Sequence, residues 1–541
     1  MKPIDGYDKL RGGYYTPQPI ADFITQWAFQ APCSSILEPS CGDGSFLSSI
    51  RKIMDYANKQ IAIDVVGVEL ESDEAKKAEQ YAFPIINDDF FTYYKHAIEG
   101  KKRFDVVVGN PPFIRYQNFD EKYRRIAFEL MAEHDFHPNR LTNIWLPFLL
   151  LSSEALSENG RIGMVIPAEL FQVDYAAEAR NYLSSHFDRL TLITFKKLVF
   201  DTIQQEIIVL LGEKQSAEKG IRVLELDGLD DLIQGGIPGL EKAETKVLDH
   251  STDKWVKYYL SNEELELLNR LNKDPRITDA TNLFEVNVGI VSGENDFFLS
   301  SWNEVTARHL EHDITPIISR ADQLKGVMLT EDDFSFLREN GKKVYLFTPG
   351  DIPIEETSTS AQEYIAWGES QGYNKNYKCR IRKRWYHVPM TWKADAFLIR
   401  QANLYPKMII NTAGALVTDT LHKVRFNAGV DGMLVAAAFL NSYTLALSET
   451  LGRSYGGGVL TFEPGEMRRI RIPMIGAERL DITKIDALQR QGLYEEILAY
   501  TDSVLLSDGL HLTKQEVQCV RSIWKKMCDR RLSRKKTTRR C

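Results

Sequence analysis

The stretch Ile36–Leu47 reads ILEPSCGDGSFL, and Phe46–Ala57 continues it as FLSSIRKIMDYA. A short apolar run comes first, then a turn carrying Gly42 and Gly44, then apolar residues recurring at helical spacing. The pattern predicts a strand, a turn and a helix. Glycines at such a junction let the backbone approach a ligand where a Cβ would clash, and the helix start offers N–H donors that lack intrahelical partners. The next apolar run, Ile63–Leu70 (IDVVGVEL), predicts a second parallel strand that delivers Glu69, about 25 residues past the glycines, beside the same crevice. A carboxylate placed there accepts two ribose hydroxyls. The third glycine of G-x-G-x-x-G is missing, so no pyrophosphate needs cradling and an adenosyl ligand is favoured over a dinucleotide.

Further along, Ile85–Phe91 (IINDDFF) predicts another strand end carrying acids and aromatics. Asp89 there is placed to bond an adenine amino group with Phe90 stacked on the ring, although Asp88 is an equal candidate for the bond. Phe104–Phe113 (FDVVVGNPPF) predicts a fourth strand that stops at two consecutive prolines, which end the hydrogen-bond ladder and fix a rigid loop. An exocyclic amino group conjugated with its ring is a poor nucleophile, so an enzyme using one must hold both N–H bonds while the nitrogen pyramidalises. The Asn110 side-chain oxygen and the Pro111 carbonyl are suitable acceptors, and Phe113 offers a face to an extruded base.

In this order the motifs resemble the class I, Rossmann-like S-adenosylmethionine methyltransferases, and within them the gamma-type adenine DNA methyltransferases related to the TaqI and Eco57I enzymes. Gly13–Pro17 (GYYTP), with the helix-like PIADFITQWAF after it, is similar to that group's N-terminal motif. NIWLPFLLLSSEALSENG and RIGMVIPAEL look like the next helix and strand of the same domain. The resemblance implies an α/β fold: a Rossmann-like doubly wound sheet with a C-terminal mixed α+β target-recognition domain. It assigns cofactor contacts to Tyr15, Thr16 and Pro17, to Glu38, Pro39, Cys41, Gly42 and Gly44, and to Glu69, Asp89 and Phe90. It assigns catalysis to Asn110, Pro111, Pro112 and Phe113, and stacking on the target base to Phe113 and to Phe200 in LVFDTIQQEIIVLLG. The group usually carries Tyr where this chain has Phe113, a change that keeps stacking and loses the hydroxyl.

On this reading a methyl group moves from S-adenosylmethionine to the N6 amino group of an adenine flipped out of double-stranded DNA, with no metal and no covalent intermediate. A cytosine ring-carbon methylase would need a Pro-Cys loop after the fourth strand, and Pro32-Cys33 precedes the first. A methyltransferase acting on ribosomal RNA or on a protein glutamine amide could present the same loop, but the early Tyr-Tyr-Thr-Pro and the long second half favour DNA.

The composition agrees. With 541 residues, 43% hydrophobic and 26% charged, the chain is globular and long enough for more than one core. Its six cysteines lack C-x-x-C spacing, which argues against a zinc site and a disulfide framework and fits a reducing cytoplasm; the resemblance implies a bacterial or archaeal cell and association with its nucleoid. No signal peptide or membrane span is expected. The formal charge of −8 leaves DNA binding to local positive surfaces. One is the run Lys375–Arg384, with Lys378, Arg380, Arg382, Lys383 and Arg384 beside Trp385; another is Lys525–Arg540, with nine basic residues against one acid.

The expected domains are a catalytic domain over 1–240, a target-recognition domain over 241–475 and a helical, basic segment over 476–541, with the mixed Gly, Pro and charged stretch 235–252 as a connection. VNVGIVSGENDFFLS, YPKMIINTAG and AAAFLNSYTLAL are similar to pieces of target-recognition domains, and Ser454–Gly458 (SYGGG) suits backbone contacts to phosphate. With motifs starting near residue 14, no N-terminal nuclease is expected. The partner would be a separately encoded restriction endonuclease that acts on the same site without forming a stable complex.

Overall fold

The computed structural model describes residues 15–533 except 57–62, 140, 198, 200–205, 252, 390–391 and 455–456. It divides into two compact units meeting at residues 262 and 263.

The first unit is built on one eight-stranded sheet. In chain order its elements are α1 (Gln18–Ala28), β1 (Ser35–Glu38), α2 (Ser45–Tyr56), β2 (Asp64–Val68), α3 (Ser72–Ala78), β3 (Ile85–Ile86), α4 (Phe90–Tyr93) and β4 (Phe104–Gly109). Then come α5 (Glu121–Glu133), α6 (Trp145–Glu154), β5 (Leu156–Pro167), α7 (Ala177–His186), β6 (Arg189–Phe195), β7 (Ile207–Glu213) and β8 (Gly220–Leu226). The strands lie in the order β3-β2-β1-β4-β5-β7-β6-β8. The first five pair in parallel, and β7 runs antiparallel to β5 and β6 on either side of it. Chain order reverses between β1 and β4, which makes their carboxyl ends the topological switch point where open sheets of this kind bind ligands. The expected Rossmann-like doubly wound sheet is present.

The local sequence explains these elements. In α1, Ile20, Phe23, Ile24 and Trp27 recur at helical spacing and all are buried, so one stripe faces the sheet while Pro17 stands at the N-cap. In α6 every residue from Trp145 to Ser153 is buried, which is why the segment is apolar all round. The helix expected from sequence runs on to Gly160, but β5 begins at Leu156. Leu156 is buried beside Phe104 in the sheet, so tertiary pairing overrides the helical propensity of the segment.

The stretch expected to be a connection belongs to the first unit. Ile221 and Lys246 exchange N–H···O bonds of 2.8 Å in both directions, Arg222 pairs with Glu241 at 3.0 Å, and Trp255 and Leu260 are fully buried. Polar composition suggested a linker, whereas pairing with β8 and burial of these anchors make it part of the domain. The boundary therefore falls at 262 and 263 rather than at 240.

The second unit is mixed α+β. A five-stranded sheet runs Phe284–Val288, Leu421–Phe426, Ala396–Ile399, Met408–Asn411 and Met328–Leu329 in spatial order, beside a four-stranded sheet and smaller pairs. Lys407, at the head of one strand, is buried and donates to the carbonyls of Leu324, Lys325 and Gly326, so it holds a turn of its own domain. The C-terminal segment does not stand apart from this unit. Helix Lys514–Leu532 buries Trp524 against Tyr405 and Tyr494, and Arg531 forms a bidentate pair with Glu449. Residues 534–541 of the basic tail lie outside the described residues. No single helix among the described residues is long and apolar enough to cross a membrane; the apolar pair Gly432–Phe439 and Ser442–Leu451 meets at 77° and is mostly buried.

Candidate active site

A cavity of about 360 Å³ opens where β1, β2 and β4 end, at the switch point. The turn after β1 supplies residues 38–43, the end of β2 supplies Glu69 and Leu70, the start of α4 supplies Asp88, Asp89 and Phe90, and the loop after β4 supplies Asn110, Pro112 and Ile114. Motifs spread over almost a hundred residues converge because parallel strands of one sheet all end on the same edge.

Glu38, the last residue of β1, is 1% exposed, and its Oε2 has no hydrogen-bond partner among the described residues. Burial, helped by the Glu69 and Asp43 carboxylates, pushes its pKa well above the ordinary carboxyl range. An acid held this way suits a donor or a cation brought by a ligand. Glu69 is already oriented: its Oε2 accepts the Gly42 N–H and its Oε1 accepts the Glu71 N–H, both at 2.8 Å. Burial raises its pKa against the opposing effect of those two bonds. Each oxygen keeps a second lone pair for a ligand hydroxyl.

The two glycines have different reasons to be glycine. Gly42 has φ +54° and a Cβ there would meet nothing within 4 Å, so the space beside it is cavity. Gly44 has φ +94° and a Cβ would come within 2.6 Å of the Tyr81 ring. Gly44 is therefore required by its backbone conformation and its packing against Tyr81, and it is not among the residues lining the cavity.

Of the two candidate aspartates, Asp89 is 2% exposed and caps α4, its Oδ1 accepting the Thr92 N–H at 2.9 Å. Burial pushes its carboxyl up to about 6. Asp88 sits at the exposed rim and accepts the Asp89 N–H at 2.7 Å. Phe90 stacks on Phe148 of α6, with centroids 5.1 Å apart and planes at 20°, and both line the cavity. Sequence reasoning does not reach Phe148, Leu70 and Phe46, nor Ile114, Asn118 and Phe119 of the loop after the prolines. Leu70 had a findable signal, its place directly after the ribose-binding candidate at a strand end, and the structure leaves it 41% exposed.

The turns after β1 and β4 touch. The Ser40 hydroxyl donates to the Asn110 carbonyl at 3.2 Å, and a Cβ on Gly109 would lie 3.2 Å from Pro39. The loop is anchored at its far end, where the Ile144 N–H donates to the Ile114 carbonyl at 3.0 Å and Arg115 bridges Asn143. Tyr15, Thr16, Pro39 and Cys41 also line the cavity. Pro17 caps α1 instead, and Pro111 and Phe113 are not among the lining residues; Phe113 is 9% exposed. Phe200 lies outside the described residues. Burial pushes the Cys33 thiol up to about 12, far from a thiolate nucleophile.

In the second unit the structure separates the six expected DNA contacts. Lys378, Arg380 and Lys383 are exposed. Arg382 donates to the Val291 carbonyl at 2.7 Å and lies over the Phe298 ring, Arg384 pairs with Asp351 at 2.5 Å, and the Trp385 indole donates to Glu369 at 3.0 Å. Each of these last three is tied to its own domain by at least one bond to protein.

Two family models match the chain: N-6 DNA methylase over residues 5–271, and the C-terminal domain of type II methyltransferase M.Eco57I over residues 252–506. Residues 5–271 are a domain of the N-6 DNA methylase family. Similar curated proteins include the type II methyltransferase M.AccI of Acinetobacter calcoaceticus, 25% identical over 472 residues and covering 84% of each chain. M.XamI of Xanthomonas campestris pv. amaranthicola is 22% identical over 484 residues, covering 86% of this chain and 85% of its own. M.BstVI of Geobacillus stearothermophilus is 23% identical, covering 95% of this chain and 98% of its own. Among solved structures, the DrdV–DNA complex aligns over 91% of this chain and 58% of that one, with TM-score 0.49 at 13% identity. The methylase is a DNA methyltransferase of the restriction–modification type, with a class I methyltransferase fold.

Proposed function

We propose that the methylase transfers a methyl group from S-adenosylmethionine to the N6 amino group of an adenine rotated out of double-stranded DNA. The observation that carries this reading is the convergence of Glu38, Glu69, Asp89 and Asn110 on one cavity at the switch point. Glu38 and the residues at positions 15 and 16 would hold the charged end of the cofactor, the Glu69 carboxylate its ribose hydroxyls, and Asp89 with Phe90 and Phe148 its base. The cofactor supplies an electrophilic methyl on a sulfonium, open to in-line displacement.

The chain's own part is orientation. Asn110 and the Pro111 carbonyl accept the two N–H bonds of the target amine, so its lone pair leaves ring conjugation and points at the methyl. A paired adenine cannot place its amino group inside a loop of this kind, so the base must leave the stack. Residues 263–533 are the target-recognition part, and a separately encoded endonuclease would cleave the same sequence when it is unmodified. The setting would be a bacterial or archaeal cytoplasm.

Incubation with labelled S-adenosylmethionine and genomic DNA, followed by single-molecule sequencing, tests the whole reading. Label in N6-methyladenine at one sequence is expected. Label in RNA or protein instead would overturn it.

A further inference from the structure

Residues 376–383 carry a feature that adenine methylation does not use. Tyr377 is 65% exposed and Ile381 59%, although both are large and apolar. Single exposed apolar residues are ordinary. These two are four positions apart across one helical turn, with the Ile381 N–H donating to the Tyr377 carbonyl, so they share a face. Lys375, Lys378, Arg380 and Lys383 are exposed around them.

The base of this knuckle is pinned. Cys379 is fully buried, a Cβ on Gly293 would lie 2.8 Å from the Lys378 Cβ, and Arg382 reaches the Val291 carbonyl. Trp385 packs on Phe297 with centroids 4.7 Å apart. Among the carboxylates nearby, Asp351 is paired with Arg384, while Glu294 and Glu369 accept from the Asn376 amide and the Trp385 indole and keep their charge. The result is a rigid projection with an apolar tip and a cationic skirt.

From this geometry we infer that the knuckle is a wedge: Tyr377 and Ile381 enter the base stack of duplex DNA while Lys378, Arg380 and Lys383 bind the flanking phosphates. The inference rests on DNA being the substrate and goes beyond it by assigning a second point of duplex distortion. Protein-binding patches are poor in lysine at their centres, whereas proteins that kink DNA pair an inserted apolar side chain with flanking cations.

The test uses the full chain and a duplex carrying the methylated sequence found as above, with 2-aminopurine placed at each position in turn. Wild-type protein should raise fluorescence at the target adenine and at a second, separate step. Tyr377→Ala/Ile381→Ala should lose the second rise and bind the intact duplex roughly tenfold more weakly. The same variant should bind normally when that step already carries an abasic site. Tyr377→Phe should keep both rises. A rise at the target adenine alone in wild-type protein, or a second rise that survives the double substitution, would overturn the wedge. Failure of methyl transfer to any DNA would instead overturn the substrate reading beneath it.

Discussion

The Glu69 carboxylate accepts the Gly42 N–H at 2.8 Å, joining the end of the second strand to the turn after the first. One residue thus shapes the glycine turn and faces the cavity beside it. Glu69→Ala should weaken S-adenosylmethionine binding by roughly ten- to a hundredfold, the scale of losing hydrogen bonds to a charged group. Isothermal titration calorimetry reads this directly, and an unchanged Kd would remove Glu69 from the cofactor site.

Asn110 follows the last residue of β4 and lines the same cavity. Asn110→Ala should lower kcat by about a hundred- to a thousandfold, as removal of a preorganised hydrogen-bonding group does. Cofactor affinity should stay within a few-fold, because the residue is assigned to the target amine. A proportional loss of cofactor binding would contradict that assignment.

Asp89 and Glu38 are acids whose folded-state pKa values are raised by burial, Asp89 to about 6. Such a group costs stability as pH climbs from its unfolded value through its folded one. The ligand-free enzyme should therefore lose Tm between about pH 4 and pH 6 on account of Asp89, with Glu38 adding to the fall above its own ordinary value. Glu38→Gln should flatten the profile in scanning calorimetry and raise Tm at neutral pH. Identical profiles for the two proteins would show that the Glu38 carboxyl is not held as described.

The cations of residues 375–384 should divide by their partners. Lys378→Ala/Arg380→Ala/Lys383→Ala should leave Tm unchanged and reduce the slope of log K for DNA against log salt by about 3, near 0.9 for each phosphate no longer neutralised. Arg384→Ala should instead lower Tm, since it unpairs Asp351. A full salt slope in the triple variant would place phosphate binding elsewhere.

Arg531 and Glu449 are 2% and 3% exposed and bonded through three donor–acceptor pairs of 2.8, 2.9 and 3.0 Å. Arg531→Ala should destabilise the second unit by about 3–5 kcal/mol, because it strands a buried carboxylate. Replacing both partners by apolar residues should recover part of the loss in urea melts. Equal loss in the single and double variants would deny the pair its coupling.

Glu38, Glu69, Asp89 and Asn110 could be found from sequence because each ends a strand or lies within three residues of one. Strand ends of a parallel sheet share an edge by topology alone, so linear order is enough to bring these residues together. Phe148 and Phe119 could not be found this way. They reach the cavity from a fully buried helix and a folded-back loop, and one apolar residue among many carries no mark of the direction it faces.

The doubly wound sheet, the residues that meet at its edge and the presence of a long second domain were legible in the linear chain, because periodicity and motif order are local properties. What each residue in a motif is for emerged only from packing. Packing assigns Gly44 to Tyr81, Arg384 to Asp351 and Arg531 to Glu449, and it leaves Tyr377 and Ile381 standing in solvent. A side chain's role depends on what else is within about 4 Å of it, and for partners up to 82 residues away that distance is set by the folded arrangement, not by the neighbouring letters.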